Sequence, residues 1–213
     1  MSACIILMTK APRVGDVKSR IATEMGDERA AELYRCFLLD LLDTLKEVGT
    51  PFIIYYTPAD ALDELKIMLG EEHQFIPQEG GDLGERLYHG LEIAKKLGYR
   101  SAIALASDVP DITEEYLSGC VEALGMHEAV IGPSTDGGYN LIGLNLDHLD
   151  ERFFTGINWG TDTVFSESME RLAGLDIHVP APWSDIDNAS DLEKLCMSEA
   201  SHTMRYLRGM RED

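Results

Sequence analysis

The stretch SAIALASDVPD, residues 101–111, decides the fold. Ser101 to Ala106 is a short, almost wholly apolar run, and it stops abruptly at Ser107-Asp108-Val109-Pro110-Asp111. An unbroken apolar run of this length reads as a strand buried on both faces, the habit of parallel strands covered by helices. The polar stop says as much as the strand. In an α/β sheet ligands gather beyond the carboxyl ends of strands, so a carboxylate delivered there is placed for chemistry. Pro110 fixes the turn that aims Asp108, and Thr113 with Glu114 and Glu115 opens a helix.

The same alternation continues in both directions. Upstream, Ala3 to Thr9 is a short apolar strand, and Ala30, Leu33, Tyr34, Phe37, Leu38, Leu41, Leu42 and Leu45 recur at helical spacing within residues 28–48. Gly49 ends that helix. Residues 51–56 form a strand, a helix follows from Pro58 to Gly70, and a short strand lies near Phe75-Ile76. Residues 82–97 are helical, with Gly98 as the stop. Downstream, strands at 129–132 and 139–144 flank a turn at 133–138, then come a helix at about 161–173, a strand at 177–179, and a helix from Ala189 past Met197. Repeated βα alternation predicts a single α/β domain over residues 1–204, a mostly parallel mixed sheet flanked by helices in a Rossmann-like three-layer sandwich. The polar residues 205–213 are expected to fray.

Composition narrows the function. The 213 residues carry a formal net charge of -20. Such acidity argues against a nucleic-acid partner, which needs an extended basic surface. No stretch reaches the roughly 20 apolar residues of a spanning helix, and the N-terminus lacks the pattern of a secretory signal, so a cytoplasmic protein is expected. Cys4, Cys36, Cys120 and Cys196 are widely spaced and read as buried free thiols; the six histidines form no zinc motif.

Against that background four loops stand out. In the first, residues 9–20, Lys10, Arg13, Lys18 and Arg20 sit together with one acid, Asp16. Pro12 and Gly15 shape its backbone, and Lys18 and Arg20 suit phosphate oxygens; a solvated basic loop paired with acidic neighbours is the plain alternative. The second loop carries Asp108, placed to hold Mg²⁺ or Mn²⁺ against a pyrophosphate. The third, residues 132–144, contains Asp136, Gly137 and Gly138, a pair of glycines that admits close approach or an ordinary hairpin turn. The fourth, residues 184–192, alternates Asp185 and Asp187 in a possible metal pair, with Asp191 at a helix start.

Six motifs in order, TKAPRVGDVKSR (9–20), GGDLGERL (80–87), ASDVPDI (106–112), GPSTDGGYNLIGL (132–144), INWGTDTVF (157–165) and SDIDNASDL (184–192), resemble a bacterial and archaeal family of GT-A-like nucleotide-diphospho-sugar transferases, or glycosyltransferase-like proteins. One branch of it is linked to arsenosugar biosynthesis. The family is related in fold to molybdenum cofactor guanylyltransferase and phospholactate guanylyltransferase. The resemblance runs from about residue 4 to residue 195. It implies that Lys10, Pro12, Gly15, Lys18 and Arg20 form a phosphate-facing loop, with Asp82, Gly84 and Arg86 beside the nucleotide. Asp108 would be the main ligand of a divalent metal, Mg²⁺ or Mn²⁺, and Asp187 the second. Gly137, Gly138, Tyr139, Trp159 and Thr161 would line the acceptor side, with Asp108, Lys18 and Asp136 as the catalytic set.

The expected function is transfer from a nucleotide-activated donor, with glycosyl transfer from a nucleotide sugar to a small-molecule acceptor ahead of nucleotidyl transfer. The single glycine of the basic loop, where guanylyltransferases of this fold are richer in glycine, sets that order. A non-catalytic nucleotide-binding protein is the third reading. Whether the chain forms a homo-oligomer is left open.

Overall fold

A computed structural model of the chain describes residues 2–212. Its first unit is β1 (Ala3–Lys10), the basic loop, then α1 (Ser19–Met25) and α2 (Asp27–Val48). Gly49 closes α2 at φ 69, a left-handed conformation that glycine adopts without strain. The chain continues through β2 (Phe52–Thr57), a 3₁₀ turn, α3 (Leu62–Leu69), β3 (Gln74–Pro77), α4 (Leu83–Lys96), β4 (Ser101–Ala106) and α5 (Glu114–Ala123). The last third contains β5 (Ala129–Pro133), β6 (Tyr139–Asn145), α6 (Val164–Arg171), β7 (Ile177–His178), α7 (Ala189–Leu192) and α8 (His202–Glu212).

These strands make a seven-stranded sheet in the order β3-β2-β1-β4-β6-β5-β7. β1 lies between β2 and β4, parallel to both. β6 runs antiparallel to β4 and β5. The sheet is therefore the mostly parallel mixed one that the alternation predicts, with one reversed strand inserted by the β5–β6 hairpin.

The strands' unbroken apolar sequence is explained by burial on both faces. Ile6 of β1 and Ala102 and Ala104 of β4 pack under Leu87, Leu91 and Ala94 of α4. On the other face Ile5 and Leu7 meet Leu41 and Leu45 of α2 together with Leu117 and Cys120 of α5. Each such leucine or isoleucine, fully buried, contributes roughly 1.5–3 kcal/mol. Cys4, Cys36 and Cys120 are buried as expected, whereas Cys196 is exposed. Among the described residues no helix is long and apolar enough to cross a membrane.

The C-terminal region departs from the sequence expectation. The helix expected to run past Met197 ends at Leu192. The hydroxyls of Ser198 and Ser201 take the backbone N–H groups of Ala200 and Met204, a local alternative to helical bonding. Residues 205–212, expected to fray, belong to α8. The cause lies far away in sequence. Asp40, buried in the middle of α2, accepts hydrogen bonds from the N–H groups of His202 and Thr203, at 2.7 and 2.9 Å. This carboxylate caps α8 from another helix, while Tyr206 and Leu207 pack on the core beneath it.

Candidate functional site

Strand order locates the crevice. From β1 the chain steps outward to β2 and β3, then returns to place β4 on the other side of β1. At such a switch point the loops leaving adjacent strands diverge and open a crevice at their carboxyl ends. A cavity of about 550 Å³ lies there, lined by Lys10, Lys18, Arg20 and Arg86 and by the carboxylates Asp16, Asp108 and Asp187.

Each side chain reaches the cavity for a local reason. The Lys10 ammonium donates to the carbonyl of Asp16 at 2.5 Å and so folds the basic loop back on itself. Arg86, one turn into α4, donates to the carbonyl of Gly80 at 3.2 Å. Asp108 follows directly from the buried β4. Asp187 arrives from the far end of the sequence, held by a backbone bond from Ile186 N to the Asp108 carbonyl at 2.9 Å.

Lys18 ties these parts together. Its side chain is only 5% exposed, while those of Asp108 and Asp187 are 42% and 39% exposed. The ammonium pairs directly with Asp108 Oδ1, stands 3.8 Å from Asp187 Oδ1, and donates to the Ile186 carbonyl at 2.7 Å. The rings of Tyr34 and Phe37 lie 5.8 and 5.5 Å away. Arg20 pairs with the other Asp187 oxygen at 3.0 Å. Burial raises the pKa of Asp187, with the Lys18 charge opposing the rise.

The remaining predicted residues lie outside the cavity lining. Pro12 lines a smaller hollow between the basic loop and α3, and Arg13 is turned toward Asp60 and Glu64. Arg13 thus follows the plain alternative for a basic loop. Gly15 supplies a positive-φ turn. Asp82 caps α4 by accepting from Glu85 N at 2.8 Å. Gly84 is a packing contact, since a Cβ there would fall 2.3 Å from the Phe154 carbonyl oxygen and 3.0 Å from the Trp159 ring.

Gly137, Gly138, Tyr139, Trp159 and Thr161 lie around the β5–β6 hairpin and the turn at residues 157–163, outside the cavity lining. Tyr139 meets Trp159 edge-on at 6.2 Å, and a Cβ on Gly137 would stand 2.2 Å from the Asp162 carbonyl oxygen. Thr161 bonds within its own turn, to the Asn158 carbonyl. Exposed Asp136 accepts from Gly138 N at 2.9 Å. Asp185 does not join Asp187 in the cavity; its Oδ1 is buried without a partner. Burial, with Asp136, Asp108 and Asp187 nearby, pushes its pKa up to about 7.

Sequence reasoning missed three polar lining residues that lie outside the quoted motifs, Tyr34, Thr57 and Gln78. Tyr34 was hidden in the apolar stripe of α2. Its hydroxyl lies 2.6 Å from Ser107 Oγ and accepts from Lys10 N at 3.3 Å, while Ser107 donates to the Met8 carbonyl. A tyrosine hydroxyl on a core face needs a partner, and that requirement was the available signal. Gln78 donates to the carbonyls of Tyr55 and Thr9, tying β2 to β1 beside the cavity.

Two carboxylates facing one ammonium offer hard oxygen donors to a cation. Among the described residues no group of three or more histidines, cysteines or acids is gathered for a metal. Hard oxygen donors of this kind are compatible with Mg²⁺ or Mn²⁺, which use one or two carboxylates and fill their remaining positions with water and substrate phosphate.

A family model described as "Uncharacterized protein conserved in bacteria (DUF2064)" matches residues 41–161, more than half of the chain. A solved protein of Desulfovibrio desulfuricans G20, provisionally named a nucleotide-diphospho-sugar transferase, is 34% identical, with coverage of 99% of this chain and 96% of that one and a TM-score of 0.94. The 4-diphosphocytidyl-2C-methyl-D-erythritol synthase of Anaerococcus prevotii DSM 20548 is 15% identical over 98% of this chain and 100% of its own, with a TM-score of 0.60. A Mycobacterium tuberculosis H37Rv protein solved with manganese is 11% identical over 92% and 98%, with a TM-score of 0.58. The last two likenesses are of fold. The chain belongs to the DUF2064 family, and its architecture is that of these transferase-like α/β proteins.

Proposed function

We propose that the protein transfers a group from a nucleotide-activated donor, with a divalent metal, and that the donor is a nucleotide-diphospho-sugar. One observation carries this reading. Lys10, Lys18, Arg20 and Arg86 share a single cavity with Asp108 and Asp187, in a chain that is strongly acidic elsewhere. The volume of about 550 Å³ is within the range of small-molecule sites. The four cations suit a diphosphate, whose charge builds up as it leaves. Asp108 and Asp187 would hold Mg²⁺ or Mn²⁺, which supplies charge neutralisation for the departing diphosphate. Lys18 and Arg20 bind and orient phosphate oxygens, and Asp136, exposed on the β5–β6 hairpin, is the proposed base toward the acceptor. Gly137, Gly138, Tyr139, Trp159 and Thr161 form the proposed acceptor side.

Titration calorimetry with a panel of nucleoside diphosphates and nucleotide sugars, with and without Mn²⁺, tests the proposal. Binding that depends on Mn²⁺ is expected, and its absence across the panel would sink the reading. A second reading, nucleotidyl transfer, would use the same cavity and the same pair, Asp108 and Asp187. Product analysis separates the two. Glycosyl transfer releases a nucleoside diphosphate, whereas nucleotidyl transfer consumes a triphosphate and releases pyrophosphate.

A further inference from the structure

Lys18 is held in an unusual way. It is the one non-glycine residue among those described with a positive φ, at φ 49 and ψ 44. A left-handed backbone is unfavourable for a residue with a Cβ and persists only where the surroundings over-determine it. Capping does not explain it, because the Lys18 side chain makes no cap bond to α1 although the residue stands at that helix's N-terminus. The conformation sends the side chain inward instead. There the ammonium pairs with Asp108, donates to the Ile186 carbonyl and lies within ion-pair range of Asp187, above the rings of Tyr34 and Phe37.

Each of the two carboxylates already has a cationic partner. Asp108 and Asp187 face Lys18 and Arg20, two negative groups against two positive ones. A divalent ion placed on the same carboxylates would bring two further positive charges close to a buried ammonium, a repulsion that low local polarity strengthens. Donor phosphates change the balance, because they bring negative charge and offer the ammonium new acceptors. The flexible four-carbon stem of lysine lets it turn from Asp108 toward the cavity that it already lines.

We propose that the Lys18 ammonium is the resident cation of the ligand-free site, and that a divalent ion gains Asp108 and Asp187 only when donor phosphates draw Lys18 away. Lys18 thereby makes metal binding conditional on the donor. The inference rests on the reading of Asp108 and Asp187 as cation ligands under the proposed function.

Mn²⁺ alone is the probe, its binding to the purified protein followed by electron paramagnetic resonance. Wild-type protein is expected to bind Mn²⁺ weakly, and Lys18→Met to bind it about tenfold more tightly or better. Lys18→Arg, which keeps the charge, should stay weak, and Arg20→Ala should gain clearly less than Lys18→Met because its exposed side chain is screened by solvent. If Lys18→Met loses stability through its unpaired carboxylates, Mn²⁺ should raise its melting temperature more than that of wild type. Unchanged or weaker Mn²⁺ binding by Lys18→Met overturns the proposal. So does an equal gain in Arg20→Ala, which would reduce the effect to general charge. Adding Asp108→Asn to Lys18→Met separates the two levels of argument. If the gained binding survives, the ion sits elsewhere and the reading of Asp108 as a ligand fails. If Lys18→Met gains nothing while wild type still binds nucleotide in an Mn²⁺-dependent way, only the conditional role of Lys18 fails.

Discussion

Asp40 lies within α2 and Asp108 meets its partner beside the same helix, and the two carboxylates are used in opposite ways. Asp40, in the seam between α2 and α8, is buried, and its two oxygens take the N–H groups of His202 and Thr203. Asp108, at the switch point, pairs through one oxygen with an ammonium that rests over rings of α2, and its side chain remains 42% exposed. The first acid is closed by backbone groups that cannot leave. The second is held by one side chain and keeps much of its own surface open to the cavity. A carboxylate closed by backbone groups serves the fold; one that faces a cavity is available to a ligand.

The sharpest way to break this contrast is to remove each acid. Asp108→Ala is expected to lower Mn²⁺-dependent nucleotide affinity by about a hundredfold or more, while the melting temperature moves by only a few degrees. Calorimetry and thermal melting of one sample give both readings. A large loss of stability with little loss of affinity would place Asp108 with the structural acids. Asp40→Ala should do the reverse, costing about 2–4 kcal/mol in urea unfolding by leaving two helix N–H groups without an acceptor. Nucleotide affinity should hold, and an equal fall in affinity would show that the seam and the site are not separable.

Two smaller effects sharpen the picture. Gly137→Ala should cost about 1–3 kcal/mol in the same unfolding experiment, because φ is 94 and the added carbon meets the Asp162 carbonyl. Its nucleotide affinity should stay close to wild type, as expected of a residue outside the cavity lining. Arg20→Ala should weaken nucleotide binding by less than about fivefold, and the difference should shrink as salt is raised. A larger, salt-insensitive loss would move Arg20 from the rim of the site to its centre.

The parallel half of the sheet was legible because each of its strands is an apolar run closed by polar or glycine residues. The long helix α2 was legible from its 3.6-residue stripe, α4 from the Gly98 that stops it, and α5 from Thr113 followed by Glu114 and Glu115. Two helices were not. α1 is hidden behind the basic loop, where Lys18, Ser19 and Arg20 read as ligand-facing loop. α8 depends on Asp40, and a capping acid 162 residues away leaves no local trace. Strand order was beyond reach for a similar reason, since the reversal of β6 follows from a hairpin whose neighbours are chosen by packing.

The site was read in part. Lys10, Lys18, Arg20, Asp108 and Asp187, read from their loops, line one cavity together with Arg86, which the resemblance alone pointed to. Asp82 and Gly84 had equally good local reasons to be conspicuous, one as a helix cap and the other as a close packing contact. Tyr34 was the opposite case: a side chain that counted as core by its spacing but carries a hydroxyl used at the switch point.

The capping of α8 by Asp40 also has a consequence for synthesis. The residues that satisfy this carboxylate are made 162 and 163 positions after it. While the chain is growing, α2 must bury its apolar face with a charged group still waiting in the middle of it. A polypeptide halted before residue 203 would keep that charge on the face that Tyr206 and Leu207 later help to cover, so arrested chains should be conspicuous to the machinery that inspects unfinished proteins.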